Sequence, residues 1–398
     1  MATRKLKKLP NNIEEIINDD EALKKVFERC DINAYSGSRN ILFYDISDEM
    51  VKWCLEQGAD INYHNGLDKT PLIYHASSCY TCELFKEEGL QHERMFYTLL
   101  KYGADIHVKT GYPRRSVFFT AVSNGNLKMI NALLDAGADP NEENQEGQTP
   151  LFEAADRGDP DIVRLLLDNG ADPNHHEGKK DKNFTPLLYM LSFMEHGSGK
   201  PDIAEILIKA CGGKEAIPSE EWEKARAFVR NKGERLEKVR ANYPDHSFEK
   251  SDDAMNKLYE LFEVEPVKRI IKHDGVSPII VDSTLPAGKI HDMLWDYLVP
   301  GNGSCKTVQG EVIRITGCVA DEVYRNGGAN WSRGYRKMVN NLPKYLSLGQ
   351  PLSESELEEV DAISKPLPNQ GMTEIERLEE LAVKWVSMNS LPISLEDV

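Results

Sequence analysis

An all-α protein is predicted: a solenoid of about five stacked helix pairs joined by short hairpins, followed by a mostly helical C-terminal domain. Three observations predict it. Four Gly-Ala-Asp triplets recur, at Gly58, Gly103, Gly137 and Gly170, in steps of 45, 34 and 33 residues. Thr-Pro-Leu recurs upstream at Thr70, Thr149 and Thr185. Outside these signatures, apolar residues fall at helical spacing, and Val276–Asp282 is the single fair strand candidate.

The repeat unit explains itself residue by residue. Thr before Pro reads as an N-cap with proline at the first helical position, where a missing N–H costs nothing. Ser116-Val117-Phe118 is a degenerate copy, since it stands 21 residues before Gly137 just as Thr149 stands 21 before Gly170. Ala121, Ala154 and Ala155 are small enough for close helix contact, and Gly125 and Gly158 end the first helix. A second helix follows, carrying Ile162, Val163, Leu165, Leu166 and Leu167 in the best copy. Gly137 or Gly170 ends it in the left-handed conformation, and Asp and Asn (Asn62, Asn141, Asn174) turn the chain into the next copy.

On these residues the chain resembles ankyrin-repeat proteins from about Ser36 to Lys214. The copy from Glu146 to Asn174 is nearly complete. The histidine that usually follows Thr-Pro-Leu is Ile73, Phe152 and Leu188 here, so the family's Thr–His hydrogen bond is expected to be missing. The first copy is short, from Tyr35 to Asn62. The second gains about 11 residues within Ser77–Glu93, and the last carries an insertion near His196–Pro201. Residues 1–35 are expected to cap the open apolar end, with helices within Asn11–Asp31.

Beyond Cys211-Gly212-Gly213 the signature stops. Residues 215–285 read as a helical linker region, with one polar helix over Glu220–Asn242 capped by Ser219 and another capped by Ser251. Residues 286–398 read as a helical domain. Thr307 opens a helix with Val308, Val312, Ile315, Val319 and Val323 on one side, ended by Asn326-Gly327-Gly328. Helices over 353–364 and 373–388 follow, the latter with a Thr373-x-x-Glu376 capping box. Trp295, Trp331 and Trp385 are the expected core anchors. The stretch from Leu298 to Trp331 resembles a segment of uncharacterised bacterial proteins, a resemblance that implies no chemistry.

Composition narrows the function. A net charge of −17 argues against nucleic-acid binding, which needs lysine and arginine for phosphates. No apolar run is long enough to span a membrane. Seven scattered cysteines form no disulfide framework, and the start lacks a signal-peptide core; a cytoplasmic, monomeric protein is expected. From Pro351 onward 11 acidic residues face 3 basic ones, a solvated tail or a surface for a basic partner.

Four motifs invite chemistry, each with a plainer alternative. Gly301-Asn-Gly-Ser-Cys-Lys306-Thr307 approaches a phosphate loop, but Cys305 replaces the last glycine and no strand precedes it; a loop leading into a helix is expected. Cys79-x-x-Cys82 with His75 and His92 has zinc-like spacing, but one pair without a second favours structural cysteines. His175-His176-Glu177 sits at a hairpin, and adjacent histidines diverge. Glu311, Arg314, Glu322 and Arg325, with Cys318 among them, share one helix face, as surface salt bridges or a second partner contact. No catalytic set can be assembled, so no catalytic residue, metal or cofactor is assigned.

The resemblance implies a protein partner held by the hairpin tips and first helices. Mapped onto this chain, the free consensus positions are Leu67, Lys69, Tyr112, Arg115, Ser123, Asn124, Gln145, Glu146, Gln148, Asp156, Arg157, Asp181, Lys182 and Phe184. Tyr112 and Arg115 are the strongest candidates by residue type; Phe119 is core or contact. A non-enzymatic binding module is therefore expected, in its most specific form an inhibitor or immunity protein covering a toxin or effector. The rivals are an enzyme with its catalytic domain in 287–398, and a two-site scaffold.

Overall fold

The computed structural model describes residues 5–78, 86–111, 114–178, 183–193, 200–243, 246–301, 304–368 and 371–398. They group into two compact units, Met1–Val229 with Ala254–Val264, and Arg230–Asp253 with Glu265–Val398.

The first unit opens on two short parallel strands, β1 (Leu6–Lys8) and β2 (Cys30–Tyr35), separated by a 3-10 turn at Ile13–Glu15 and helix α1 (Asp20–Arg29). These are the only strands among the described residues. The expected strand at Val276–Asp282 does not form. Pro278 removes a donor, and Ile279 makes only a single N–H donation, to the Ser390 carbonyl at 2.7 Å. With no ladder to join, Val276 and Ile280 remain 79% and 85% exposed.

Helix pairs then succeed one another. The first pair is reduced, a 3-10 turn at Ile41–Phe43 standing before α2 (Asp48–Glu56). The others are α3 (Pro71–Ser77) with α4 (Lys86–Lys101), α5 (Val117–Asn124) with α6 (Leu127–Asp135), α7 (Pro150–Arg157) with α8 (Pro160–Asp168), and α9 (Pro186–Phe193) with α10 (Pro201–Ala210). First helices stack on one another, α3 on α5, α5 on α7 and α7 on α9. Ala76, Ala121, Ala154 and Ala155 make this possible, all fully buried with no long side chain to hold the backbones apart. Gly125 and Gly158 end α5 and α7 at φ of 72° and 80°, where a Cβ would be strained.

The N-caps divide. The Thr70 and Thr185 hydroxyls accept the Ile73 and Leu188 N–H groups, each at 3.4 Å. Thr149 holds the same place before Pro150, yet its buried hydroxyl has no partner among the described residues, so the expected cap bond is absent there. Phe152 stands where the family's histidine would have met it. Phe119 proves to be core, at 1% exposed.

Helix α11 (Ser219–Asn242) begins at Ser219 itself, and α12 (Glu249–Leu261) begins two residues before Ser251, so neither serine caps as expected. The second unit buries α13 (Ala287–Leu298), α14 (Val308–Asn326) and α18 (Met372–Met388) against one another, with α15 (Arg333–Asn340), α16 (Leu342–Leu346) and α17 (Glu354–Ser364) around them. Val308, Val312, Ile315 and Val319 are fully buried in its core, as is Trp385; Trp295 and Trp331 are only partly buried against it. The capping box at Thr373 does not form, because α18 starts at Met372 with Gly371 as N-cap and Thr373 already lies inside the helix. Ser353 and Glu356 make such a box on α17 instead. Among the described residues, no helix is long and apolar enough to cross a membrane.

Candidate functional site

The hairpins between helix pairs are built by asparagines. Asn65 Oδ1 accepts the N–H groups of Leu67 and Lys69, each at 2.9 Å. Asn144 Oδ1 does the same for Glu146 and Gln148, at 2.7 and 3.1 Å. Each asparagine also donates its own N–H across the turn, Asn65 to Lys69 O and Asn144 to Gln148 O. The side chain thus satisfies tip amides that strand pairing would otherwise serve. A second series ties hairpin to hairpin. Asn62 Oδ1 accepts the Asp105 N–H at 2.9 Å and Asn141 Oδ1 the Asp172 N–H at 2.7 Å. Asn33 does likewise for Asp60 at 2.7 Å, so Asp31-Ile32-Asn33 is a further copy of Asp60-Ile61-Asn62.

Around this frame the candidate residues separate. Leu67 is 76% exposed at its tip. Gln145 is exposed and Glu146 half-buried. Gln148, by contrast, is buried and donates to Glu177 Oε2 at 3.0 Å, joining two hairpins from within. Lys69 donates to Ser77 Oγ at 3.0 Å. Arg115 pairs with Glu153 at 2.9 Å, donates to Ser123 Oγ at 3.2 Å and lies over the Phe119 ring. It is therefore held inside its own repeat stack. Phe184 is half-buried, edge-on to Phe228 at 5.7 Å. Tyr112, Asp181 and Lys182 lie outside the described residues.

The remaining candidates form a rail along the ends of the first helices. Asn124 Nδ2 donates to Ala76 O at 2.8 Å, and Arg157 to Ser123 O at 2.7 Å. Lys200 donates to Asp156 O and sits 3.6 Å from the Asp156 carboxylate. Three successive repeats thus each offer a terminal carbonyl to a cation or amide of the next.

Two troughs lie between successive tips. One, of about 450 Å³, presents His107, Lys109 and Arg114; the next, of about 560 Å³, presents Glu143, Glu146 and Glu177 with His176. Their charges are opposite, and Glu143 borders both. The neighbouring histidines diverge: His175 Nε2 meets Gly147 O and His176 Nε2 meets Glu221, both at 2.9 Å. Next in sequence to Glu143, burial pushes the Glu142 carboxyl above its ordinary range, against the Ser116 hydroxyl that donates to it.

The other motifs resolve differently. Cys79 and Cys82 lie outside the described residues. His75 and His92 meet Nδ1 to Nδ1 at 2.8 Å, and His75 Nε2 faces Leu42 O at 3.0 Å. Among the described residues no three His, Cys, Asp or Glu side chains are placed for a metal. On α14, Glu311 grips Arg314 with both oxygens, at 2.6 and 2.8 Å. Together with Cys318, Tyr335, Lys337 and Met338 they line a depression of about 490 Å³. Burial raises the Cys318 thiol there. Glu322 turns away, 3% exposed, to accept from Asn326 and the Asn330 N–H, which hold its carboxyl below its ordinary range. Arg325 pairs with Asp321 at 2.8 Å. The four charges thus serve three separate structures rather than one stripe.

Sequence reasoning passed over Asn65, Asn144 and Asn33. A signal was present: Asn65 and Asn144 both stand five residues before Thr-Pro. Asn144→Ala is expected to cost about 1–2 kcal/mol, since it strands two tip amides; urea unfolding would measure it, and an unchanged midpoint would remove the asparagine from this role.

A family model for ankyrin repeats matches three copies, over residues 87–177 and 118–217. A protein of fowlpox virus (strain NVSL), named as a putative ankyrin repeat protein, is 27% identical over 123 residues, 30% of this chain and 77% of that protein.

Proposed function

We propose, from the premise that this chain carries ankyrin repeats, that it holds one specific protein partner on its hairpin tips and the adjoining first helices. Ankyrin repeats are protein-interaction modules. The observation that carries it is the asparagine-locked tip. Side chains at Leu67, Gln145 and Glu146 project from backbone already fixed by Asn65 and Asn144. A preordered tip loses little conformational entropy on binding, so more of the contact energy appears as affinity. The two oppositely charged troughs add register, because a partner shifted by one repeat would meet like charges.

In its most specific form, the module covers an effector or toxin and acts as a non-enzymatic inhibitor, monomeric and cytoplasmic. The support is the net charge of −17, which favours encounter with a basic partner. The test is capture of the partner from the native host by the tagged full chain, followed by affinity measurements on Leu67→Asp and on the double variant Gln145→Arg/Glu146→Arg. Each should weaken binding at least about tenfold, or 1.4 kcal/mol. Wild-type affinity in both variants would reject the tips as the contact surface.

A further inference from the structure

Gly301, Ser304, Lys306 and Thr307 border a cationic enclosure in the second unit. A cavity of about 320 Å³ opens there, lined among others by Lys272, Lys306 and Ser304, with Ala241, Leu298 and Pro300 as apolar walls. We propose that this cavity binds a phosphate monoester of a small organic molecule, its phosphoryl group between the two lysines.

Charge is the first argument. In a chain with 65 acidic and 48 basic side chains, no carboxylate among the described residues lines this cavity while two ammonium groups do. The carboxylates nearby have other partners, and Asp296, which also attracts Lys272, does not line the cavity. Asp274 accepts from the Val276 and Ser277 N–H groups and from the Ser277 hydroxyl. Asp296 stands 3.8 Å from Lys238. A doubly charged anion is what two such cations lack.

Unused donors are the second. Lys272 Nζ donates to Val299 O at 2.6 Å, and Lys306 Nζ to Asp274 O at 3.3 Å. An ammonium carries three N–H groups, so each retains donors for a ligand. Lys272 is half-buried, and burial holds its ammonium below the ordinary lysine range. An anion beside it would reverse that penalty. His273 is occupied within its own loop. Its Nε2 faces Ser277 O at 2.7 Å and its Nδ1 accepts the Gly275 N–H at 3.0 Å, which fixes the turn next to Lys272.

The helix that follows is not the source of binding. Thr307 Oγ1 takes the Gly310 N–H at 3.0 Å, and the Val308 N–H goes to Ile393 O at 2.8 Å. Nor is this a nucleotide-triphosphate loop, because the element before it is α13 and Cys305, in the place of the last glycine, is buried. What remains is a pair of point charges, which suits phosphate without demanding planar geometry. The volume is that of a small-molecule site, larger than phosphate alone, and its apolar walls face the organic part.

The test is isothermal titration of the full-length protein with AMP, with inorganic phosphate and with acetate, at fixed ionic strength. AMP should bind saturably and more tightly than phosphate, and acetate should not compete. Lys272→Met and Lys306→Met should each weaken AMP at least about tenfold, about 1.4 kcal/mol. Lys306→Arg and the outlying Lys238→Met should keep it. Circular dichroism checks folding; should Lys272→Met fail to fold, the exposed Lys306 decides the matter alone. No saturable binding of AMP at millimolar concentration, acetate binding as tight as AMP, or full binding by Lys306→Met would overturn the proposal.

Discussion

Trp385→Ala is expected to cost about 3–5 kcal/mol of folding stability, the range for emptying a fully buried aromatic site. Trp385 is fully buried on α18. Its indole N–H donates to Leu348 O at 3.1 Å, anchoring the loop after α16. Truncation therefore opens a cavity in the core that holds Leu378, Leu381, Val312 and Ile315, and also strands the Leu348 carbonyl. Trp385→Phe should cost less, since it keeps most of the apolar volume and loses the donor. The measurement is urea unfolding of both variants. A loss below about 1 kcal/mol for alanine would mean the site collapses freely and the core does not depend on this ring.

The second large effect is acid sensitivity of the repeat unit. His75 is fully buried on α3, and burial holds its imidazole down to about 3. The sign follows from comparing the two states. The unfolded chain takes up a proton near pH 6.5, while the folded one resists until about 3. Stability contributed by the neutral ring is thus complete above pH 6.5 and is lost as pH falls through this window. At about 1.4 kcal/mol per pH unit, the loss is on the order of several kcal/mol. Carboxylates such as Glu356, held to about 2 by Lys384 and Ser353, act in the same direction but only below about pH 4.5. Between pH 6.5 and 4.5 the urea midpoint should therefore fall less steeply in His75→Gln than in the wild type, whatever the absolute cost of that substitution; His291, held by burial to about 4, keeps part of the slope in both. Equal slopes would assign the effect to other groups.

The repeat register was legible because every copy solves the same local problem. Gly137 and Gly170 stop a helix, Thr70 and Thr185 start one, and alanines such as Ala154 and Ala155 permit close stacking; all three roles depend on residues a few positions apart. The strand at Cys30–Tyr35 was not legible, since its pairing needs Leu6, 24 residues earlier, and the isolated run at Val276–Asp282 had the better pattern but no neighbour. The site was legible only in part. Leu67, Gln145 and Glu146 were placed at the tips from the consensus alone, but that Gln148 turns inward to Glu177 depends on the next repeat.

By itself, then, the sequence determined that helices form in pairs, where most of them begin and end, and that the pairs repeat. The tertiary structure decided which side chains are spent on holding neighbours together: Arg115 on Glu153, Arg157 on Ser123, Glu322 on Asn330. The reason is physical. Helix ends and turns are governed by backbone hydrogen bonds spanning three or four residues, whereas a polar side chain is free or committed according to what distant chain segments bring within about 3 Å of it.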